Sequence, residues 1–156
     1  MEKQNDQISL FQVSEIEVSY RPKFKASERP KVTQSKDIYS LLYHNWDMNK
    51  MELQEQFKVV LLSRASKVLG IYEVSSGSMG GTLADPKLIF GTALKACASS
   101  IVLAHNHPSG SLTPSQADIQ LTKKIKDGGQ ILDILVIDHL ILTSESYFSF
   151  ADEGLI

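Results

Sequence analysis

Two histidines lie two positions apart where a short apolar segment ends. The segment spans 100–104, and His105 and His107 follow it directly. A β-strand turns alternate side chains to the same face, so a strand that continues through residue 107 puts both imidazoles on one face of a sheet. Imidazole is the commonest metal ligand among side chains, and the pair therefore predicts one shared metal site.

A carboxylate and a hydroxyl follow on a predicted helix. A capping sequence that opens with Thr113 predicts a helix over 114–127, which ends at the glycine pair 128–129. Ser115 and Asp118 are three residues apart and share one face of this helix. Two imidazoles and one carboxylate form the ligand set of a catalytic zinc, which keeps its fourth position for water.

The single cysteine restricts the metal chemistry of the chain. Cys97 cannot form an internal disulfide or a Cys-rich zinc site, so any metal must be held by histidine and carboxylate. Its spacing places it on the apolar face of a predicted helix over 85–98, where we expect it to be buried. The chain has no apolar run of the roughly 20 residues that a membrane span needs, nor an N-terminal signal segment, so we expect a cytoplasmic protein.

Length and charge narrow the class of protein further. The 156 residues suit one catalytic domain, which we place at 36–156 behind an N-terminal extension over 1–35. The net charge of −2 excludes non-specific nucleic-acid binding by overall charge. Residues 21–31 carry five positive charges and one negative, which indicates either a small basic arm for weak nucleic-acid contact or, as we favour, a solvated linker.

Hydrophobic patterning predicts the elements that must position these residues. We expect helices over 37–46 and 85–98, a hairpin of strands 55–63 and 68–74, and a strand over 131–137 that continues into or pairs with 138–143. Alternating apolar residues over 16–20 predict a further short strand, which could add to the sheet edge of a neighbouring molecule.

These motifs together resemble a known family. His105-Asn-His107-Pro followed by Ser115-x-x-Asp118 resembles the metal signature of the JAMM (MPN-domain) metalloproteases. The fuller string His-Asn-His-Pro-Ser-Gly, with a later Asp138-His139, is similar to the RadC family, the bacterial branch that carries a DNA-repair label. The resemblance covers about residues 35–156 and implies an α/β fold of the JAMM, cytidine-deaminase-like type, with a mixed, mostly antiparallel sheet flanked by helices.

The resemblance also implies roles for individual residues of a zinc-dependent peptidase or isopeptidase. His105, His107 and Asp118 would hold one Zn²⁺, and Ser115 would donate a hydrogen bond to the oxyanion of the tetrahedral intermediate. Family members place a glutamate at the start of an early strand as general acid and base. Glu55 fits that place, and Glu52 is its competitor.

Two further residues and two departures qualify the resemblance. Asp138 or His139 would orient a ligand imidazole, or the two serve the fold alone. The chain has Pro86-Lys87-Leu88 where the family commonly has Pro-Arg-Glu, and residues 1–35 are too short for the family's helix-hairpin-helix region.

The unidentified substrate is expected to be a peptide or protein. The alternative function is a DNA-associated accessory module with a zinc site and no enzymatic activity.

Overall fold

A computed structural model gives the fold and describes residues 13–77 and 83–156. The elements in chain order are α1 (Ser35–His44), α2 (Met48–Met51), β1 (Gln56–Leu62), β2 (Val68–Ser76), α3 (Pro86–Lys95), β3 (Ser100–Asn106), α4 (Gln116–Ile131), β4 (Leu135–Leu142) and β5 (Tyr147–Ser149). No helix in these ranges is both long enough and apolar enough to cross a bilayer.

The five strands form one mixed sheet in the order β2-β1-β3-β4-β5. Strand β1 is antiparallel to both β2 and β3, and β4 is antiparallel to β5. Of these five strands, only β3 and β4 pair in parallel. The prediction of a mostly antiparallel α/β fold is confirmed, as is the hairpin of β1 and β2. The central strands β1 and β3 are buried along their whole length because helices cover both faces.

Each face of the sheet has its own apolar core. The face covered by α3 and α4 contains Phe57, Val59, Ile89, Ile101, Leu103 and Ile125 among others. The opposite face, covered by α1 and α2, contains Leu42, Trp46, Met51, Val60, Val102 and Leu140. Adjacent residues of β3 alternate between these two cores, so the position of a residue along the strand determines the face on which its side chain lies.

The start and end of α4 differ from the prediction. Ser115, and not Thr113, is the N-cap, because its hydroxyl accepts the Asp118 amide while the Asp118 carboxylate accepts the Ser115 amide. The glycine pair does not end the helix, which continues to Ile131. A Cβ at Gly129 would meet the carbonyl oxygen of Ile134, so this glycine permits close packing inside the helix.

The predicted strand over 131–137 also begins too early. Ile131 belongs to α4, and the chain turns at Asp133, whose φ of 54° lies in the left-handed region. Strand β4 then runs without interruption from Leu135 to Leu142, so the second segment continues the first and does not pair with it. Asp138 and His139 therefore lie inside the strand.

Two predictions made from apolar spacing are wrong. Residues 16–20 form no strand, because their contact with β2 is a bond from the Tyr20 hydroxyl to the Leu69 carbonyl and not backbone pairing, and Ile16 is 87% exposed. Helix α3 ends at Lys95, before the predicted residue 98, and Cys97 follows it with a φ of 52° and an exposed side chain. Cys97 is not part of the core because the helical periodicity no longer applies where the helix has ended.

Candidate metal centre

Strand β3 delivers both histidines to the face of the sheet that α4 covers. His105 is the sixth residue of β3 and is almost fully buried, with its ring stacked on Phe57 at a centroid distance of 5.9 Å. His107 follows the end of the strand and is partly exposed. Their Nε2 atoms are 3.0 Å apart, as the period of two predicts.

The first turn of α4 brings Asp118 against the two imidazoles. Its Oδ1 lies 3.3 Å from His105 Nε2, and its Oδ2 lies 3.7 Å from His107 Nε2. These three residues form a group whose candidate ligand atoms lie within 4.8 Å of one another. The group is the one that the sequence spacing predicts, and it can hold a metal ion.

The partners of His105 and His107 fix the tautomer of each ring. Thr122 Oγ1 donates to the Asp118 carbonyl, and its single hydrogen is then used. Its second contact, at 2.6 Å, is therefore accepted from His139 Nδ1, which leaves His139 Nε2 to accept from His105 Nδ1 at 2.8 Å. His107 Nδ1 donates to the Ser111 carbonyl at 2.7 Å. In the neutral rings, both Nε2 lone pairs consequently face Asp118.

This arrangement places acceptors against acceptors with no donor between them. Two imidazole lone pairs and a carboxylate converge on one point, which only a cation can satisfy. Burial alone would raise the pKa of Asp118, but a protonated His105 or His107 ring donates its Nε2–H to the carboxylate and holds that pKa well below its ordinary value. The hydrogen bond to Asp118 raises the pKa of His107, as expected when a proton can occupy the same position as a metal.

The spacing of the ligand atoms fits a small tetrahedral ion. Zinc bonds of about 2.0–2.1 Å to nitrogen and oxygen put neighbouring ligand atoms roughly 3.3 Å apart. The two Nε2 atoms are 3.0 Å apart and Asp118 Oδ1 lies 3.3 Å from His105 Nε2, close to that value, while the contact of 3.7 Å to His107 Nε2 is made by the other carboxylate oxygen, Oδ2. A donor set of two neutral imidazoles and one carboxylate also suits zinc chemically.

Of the two glutamates considered for proton transfer, Glu55 is the nearer to the metal centre. It immediately precedes β1 and lies two residues before Phe57, whose pair with His105 is the last one between β1 and β3. Its charge contributes to the raised pKa of His107. Glu52 is exposed, and its carboxylate accepts the Ser144 hydroxyl at 2.6 Å. The catalytic role of Glu55 stays a prediction.

Ser115 contacts the carboxylate ligand in this structure. Its amide and its hydroxyl both donate to Asp118 Oδ2, each at 2.7 Å. These two bonds orient the carboxylate toward the imidazoles. The hydroxyl hydrogen is used in this contact, so the predicted bond to an oxyanion requires the hydroxyl to turn, and that role stays a prediction.

Asp138 and His139 point to opposite faces of β4. His139 is fully buried, stacks on Phe150, and reaches His105 from behind, while burial lowers its pKa well below the ordinary value. Asp138 accepts from the Ser149 hydroxyl at 2.7 Å and from the Ala151 amide at 3.0 Å. Only His139 has the contact that orients a ligand, and the contacts of Asp138 are with the end of β5.

The sequence reasoning missed Thr122, whose hydroxyl links Asp118 to His139. A signal was present, because Thr122 lies four residues after Asp118 and therefore on the same face of α4. That spacing gives a hydroxyl a carbonyl to donate to one turn earlier. The spacing does not reveal that His139 of β4 lies on the other side of the Thr122 hydroxyl.

Comparison with known proteins agrees with the geometry. The family model described as RadC-like JAB domain matches residues 32–155. A UPF0758 protein of Flavobacterium johnsoniae is 43% identical over 125 residues, which are 80% of this chain and 53% of that protein. One from Clostridium beijerinckii is 36% identical over 154 residues, which are 99% of this chain and 66% of that protein.

A third relative, a UPF0758 protein of Desulfitobacterium hafniense, is 40% identical over 82% of this chain and 55% of its own length. The chain thus spans about half to two thirds of the length of these curated relatives. The matched region contains every residue of the candidate metal centre. The chain belongs to the RadC family, and residues 32–155 are its RadC-like JAB domain.

Proposed function

We propose that this domain is a zinc-dependent peptidase or isopeptidase that hydrolyses an amide bond. The observation that carries the proposal is the convergence of two imidazole lone pairs and one carboxylate. Among residues 13–77 and 83–156, the group that could hold a metal has three members. Three protein ligands are typical of catalytic zinc, whereas a structural zinc is normally closed by four.

The residues of the chain divide the chemistry among them. His105, His107 and Asp118 would hold the ion, and bound zinc would supply Lewis acidity that lowers the pKa of a coordinated water. Glu55 takes a proton from the attacking water and returns it to the leaving amine. Ser115, once its hydroxyl turns away from Asp118, donates to the developing oxyanion.

A metal analysis coupled to an unbiased peptide-cleavage screen tests this function. We expect one zinc per chain in protein purified without chelator, and cleavage products that disappear with Glu55→Gln although zinc is retained. Protein that binds zinc only substoichiometrically would contradict the proposal. So would cleavage that continues unchanged in the variant.

A second candidate function is a nucleic-acid contact through residues 21–31. The observation that favours it is that Arg21, Lys23 and Lys25 are exposed, while Lys67 donates to the Ala26 carbonyl and anchors the segment to the domain. Electrostatic binding predicts affinity for DNA that falls steeply with salt. A triple change of the three exposed cations to Gln would abolish it, and an absence of binding at low salt excludes this function.

A cytoplasmic location belongs to the same set of proposals. The exposed thiol of Cys97 is free in the structure, and a reducing compartment keeps such a thiol unmodified. Fractionation of cells that express the full-length protein tests the location. Recovery in an oxidising compartment would contradict it.

A further inference from the structure

The residue between the two histidines faces away from the metal centre. Asn106 is fully buried on the side of the sheet that α2 covers, because adjacent strand residues alternate between faces. A buried carboxamide has to satisfy both its oxygen and its nitrogen, so its partners are structurally required. All of those partners lie in the segment that leads into β1.

The Asn106 carboxamide binds the backbone on both sides of Glu55. Its Oδ1 accepts from the Gln56 amide at 2.7 Å, and its Nδ2 donates to the Gln54 carbonyl at 3.0 Å. Those two groups belong to the peptide bonds immediately after and before Glu55. Nδ2 also donates to the Met51 carbonyl at 2.7 Å, which holds the end of α2 in the same clamp.

This clamp acts where the strand ladder stops. Phe57 and His105 are the last paired residues of β1 and β3, so Glu55 lies beyond the paired part of the two strands. The Glu55 carbonyl accepts from the Gly77 amide at 2.8 Å, on the other side of β1. The side chain of Asn106 thus replaces the strand pairing on the β3 side and fixes the two peptide planes that orient the Glu55 side chain.

We propose that Asn106 is the positioning residue for Glu55, and that it ties the proton-transfer group to the strand that carries both histidine ligands. The proposal rests on the proposed function. Asn106 then connects the two parts of the site. Its neighbours His105 and His107 hold the ion, and its own side-chain carboxamide holds the backbone of Glu55. A displacement of about 1 Å at such a group costs on the order of 10²-fold in rate, so the clamp has a catalytic consequence without contact with substrate.

Four variants, one of them Glu55→Gln as the reference, and two readouts that need no substrate test the proposal. Asn106→Ala removes the clamp, and Asn106→Ser, which leaves a hydroxyl and room for water, serves if the alanine variant does not fold. Ser149→Ala is the matched control, because Ser149 is a buried side chain that also links two segments but lies on β5. The readouts are amide hydrogen exchange at Gln56, resolved by NMR, and the visible spectrum of the Co²⁺-loaded protein.

We expect exchange at Gln56 to accelerate about tenfold or more in either Asn106 variant, as the loss of a buried hydrogen bond implies. We also expect the cobalt spectrum to change toward that of Glu55→Gln, with unchanged cobalt stoichiometry. Ser149→Ala should match wild type in both readouts. Wild-type exchange at Gln56 or a wild-type cobalt spectrum in the Asn106 variants would overturn the proposal, as would a Glu55→Gln spectrum identical to wild type.

Failure of the proposed function gives a different result. If wild-type protein binds neither zinc nor cobalt, the metal proposal fails, and the exchange data still decide whether Asn106 holds the Glu55 backbone. If cobalt binds and Glu55→Gln alters its spectrum while Asn106→Ala does not, the metal centre stands. In that case only the positioning role of Asn106 is wrong.

Discussion

The hydroxyl of Thr122 lies 2.6 Å from His139 Nδ1 and 2.6 Å from the Asp118 carbonyl, and so connects α4 to β4 behind the metal centre. Thr122→Val keeps the shape of the side chain and removes the acceptor that fixes the His139 tautomer. We expect zinc affinity to fall about 10- to 100-fold, the usual cost of losing an outer hydrogen bond at a metal site. Competition with a chromophoric chelator measures it.

Thr122→Ser is the control for this change, since it retains the hydroxyl and should bind zinc like wild type. Equal affinity in Thr122→Val and wild type would show that the tautomer of His139 does not depend on Thr122.

Removal of any one ligand should abolish stoichiometric zinc binding. We expect zinc near zero in His105→Ala, His107→Ala and Asp118→Asn, and one per chain in wild type. The matched controls are His44→Ala, an exposed histidine bonded to the Ser40 carbonyl, and Asp127→Asn, an exposed acid of α4. Chelator should lower the melting temperature of wild type, because a ligand at 100 times its Kd adds about 2.7 kcal/mol. Full zinc content in a ligand variant would contradict the site.

The two glutamates before β1 should differ in their effect on hydrolysis. With any peptide that the screen identifies, Glu55→Gln should reduce kcat by about 10² to 10⁴-fold, the range for a general acid and base. Glu52→Gln should leave kcat nearly unchanged because its partner is Ser144. A reversed result would assign the proton transfer to Glu52.

Asp138 should affect the pH dependence of stability and leave the metal centre unchanged. Burial raises its pKa above the ordinary 3.8, so the folded protein binds this proton more tightly than the unfolded chain. The stability that this group contributes is fully present below about pH 3.8 and is lost as the pH rises through the pKa of the folded state. As the pH rises through that window, Asp138→Asn should therefore become progressively more stable relative to wild type, with unchanged zinc content. Urea unfolding at several pH values measures the difference, and a flat difference would refute it.

Two helix glycines should respond to alanine in opposite directions. Gly129→Ala should destabilise the protein by about 1–3 kcal/mol, because the new methyl meets the Ile134 carbonyl. Gly91→Ala in α3 meets nothing within 4 Å and should stabilise by about 0.5–1 kcal/mol through helix propensity. Thermal unfolding of both variants checks the contrast, and a neutral Gly129→Ala would mean that α4 can move away from the loop after it.

Local patterns predicted the metal centre better than its surroundings. His105, His107 and Asp118 lie within one strand, one loop and one helix turn, so spacing alone brings them together. Glu55 required the family resemblance, because its proximity to His107 depends on how β1 pairs with β3. The contact between Thr122 and His139 joins α4 to β4, and no periodicity within either segment encodes it.

The errors at the two ends of the predicted α4 have different physical causes. Thr113 and Ser115 are both suitable helix caps, and the reciprocal bonds with Asp118 decide between them. Gly129 is a typical helix end by composition, yet its close contact with Ile134 makes it useful inside the helix. At Ser115 a local contact within the first turn decides between two suitable caps, whereas at Gly129 packing against the loop after α4 overrides a local preference for a helix end.

The alternation along β3 also sets a constraint on insertions and deletions. His105 and His107 face α4 while Asn106 faces α2, so removing one residue from the strand before them would exchange the two sets of side chains. The carboxamide would then lie beside Asp118, and both imidazoles would enter the apolar layer under α2. Whether the number of β3 residues before His105 is odd or even is therefore as strict a requirement for the metal centre as the identity of its ligands.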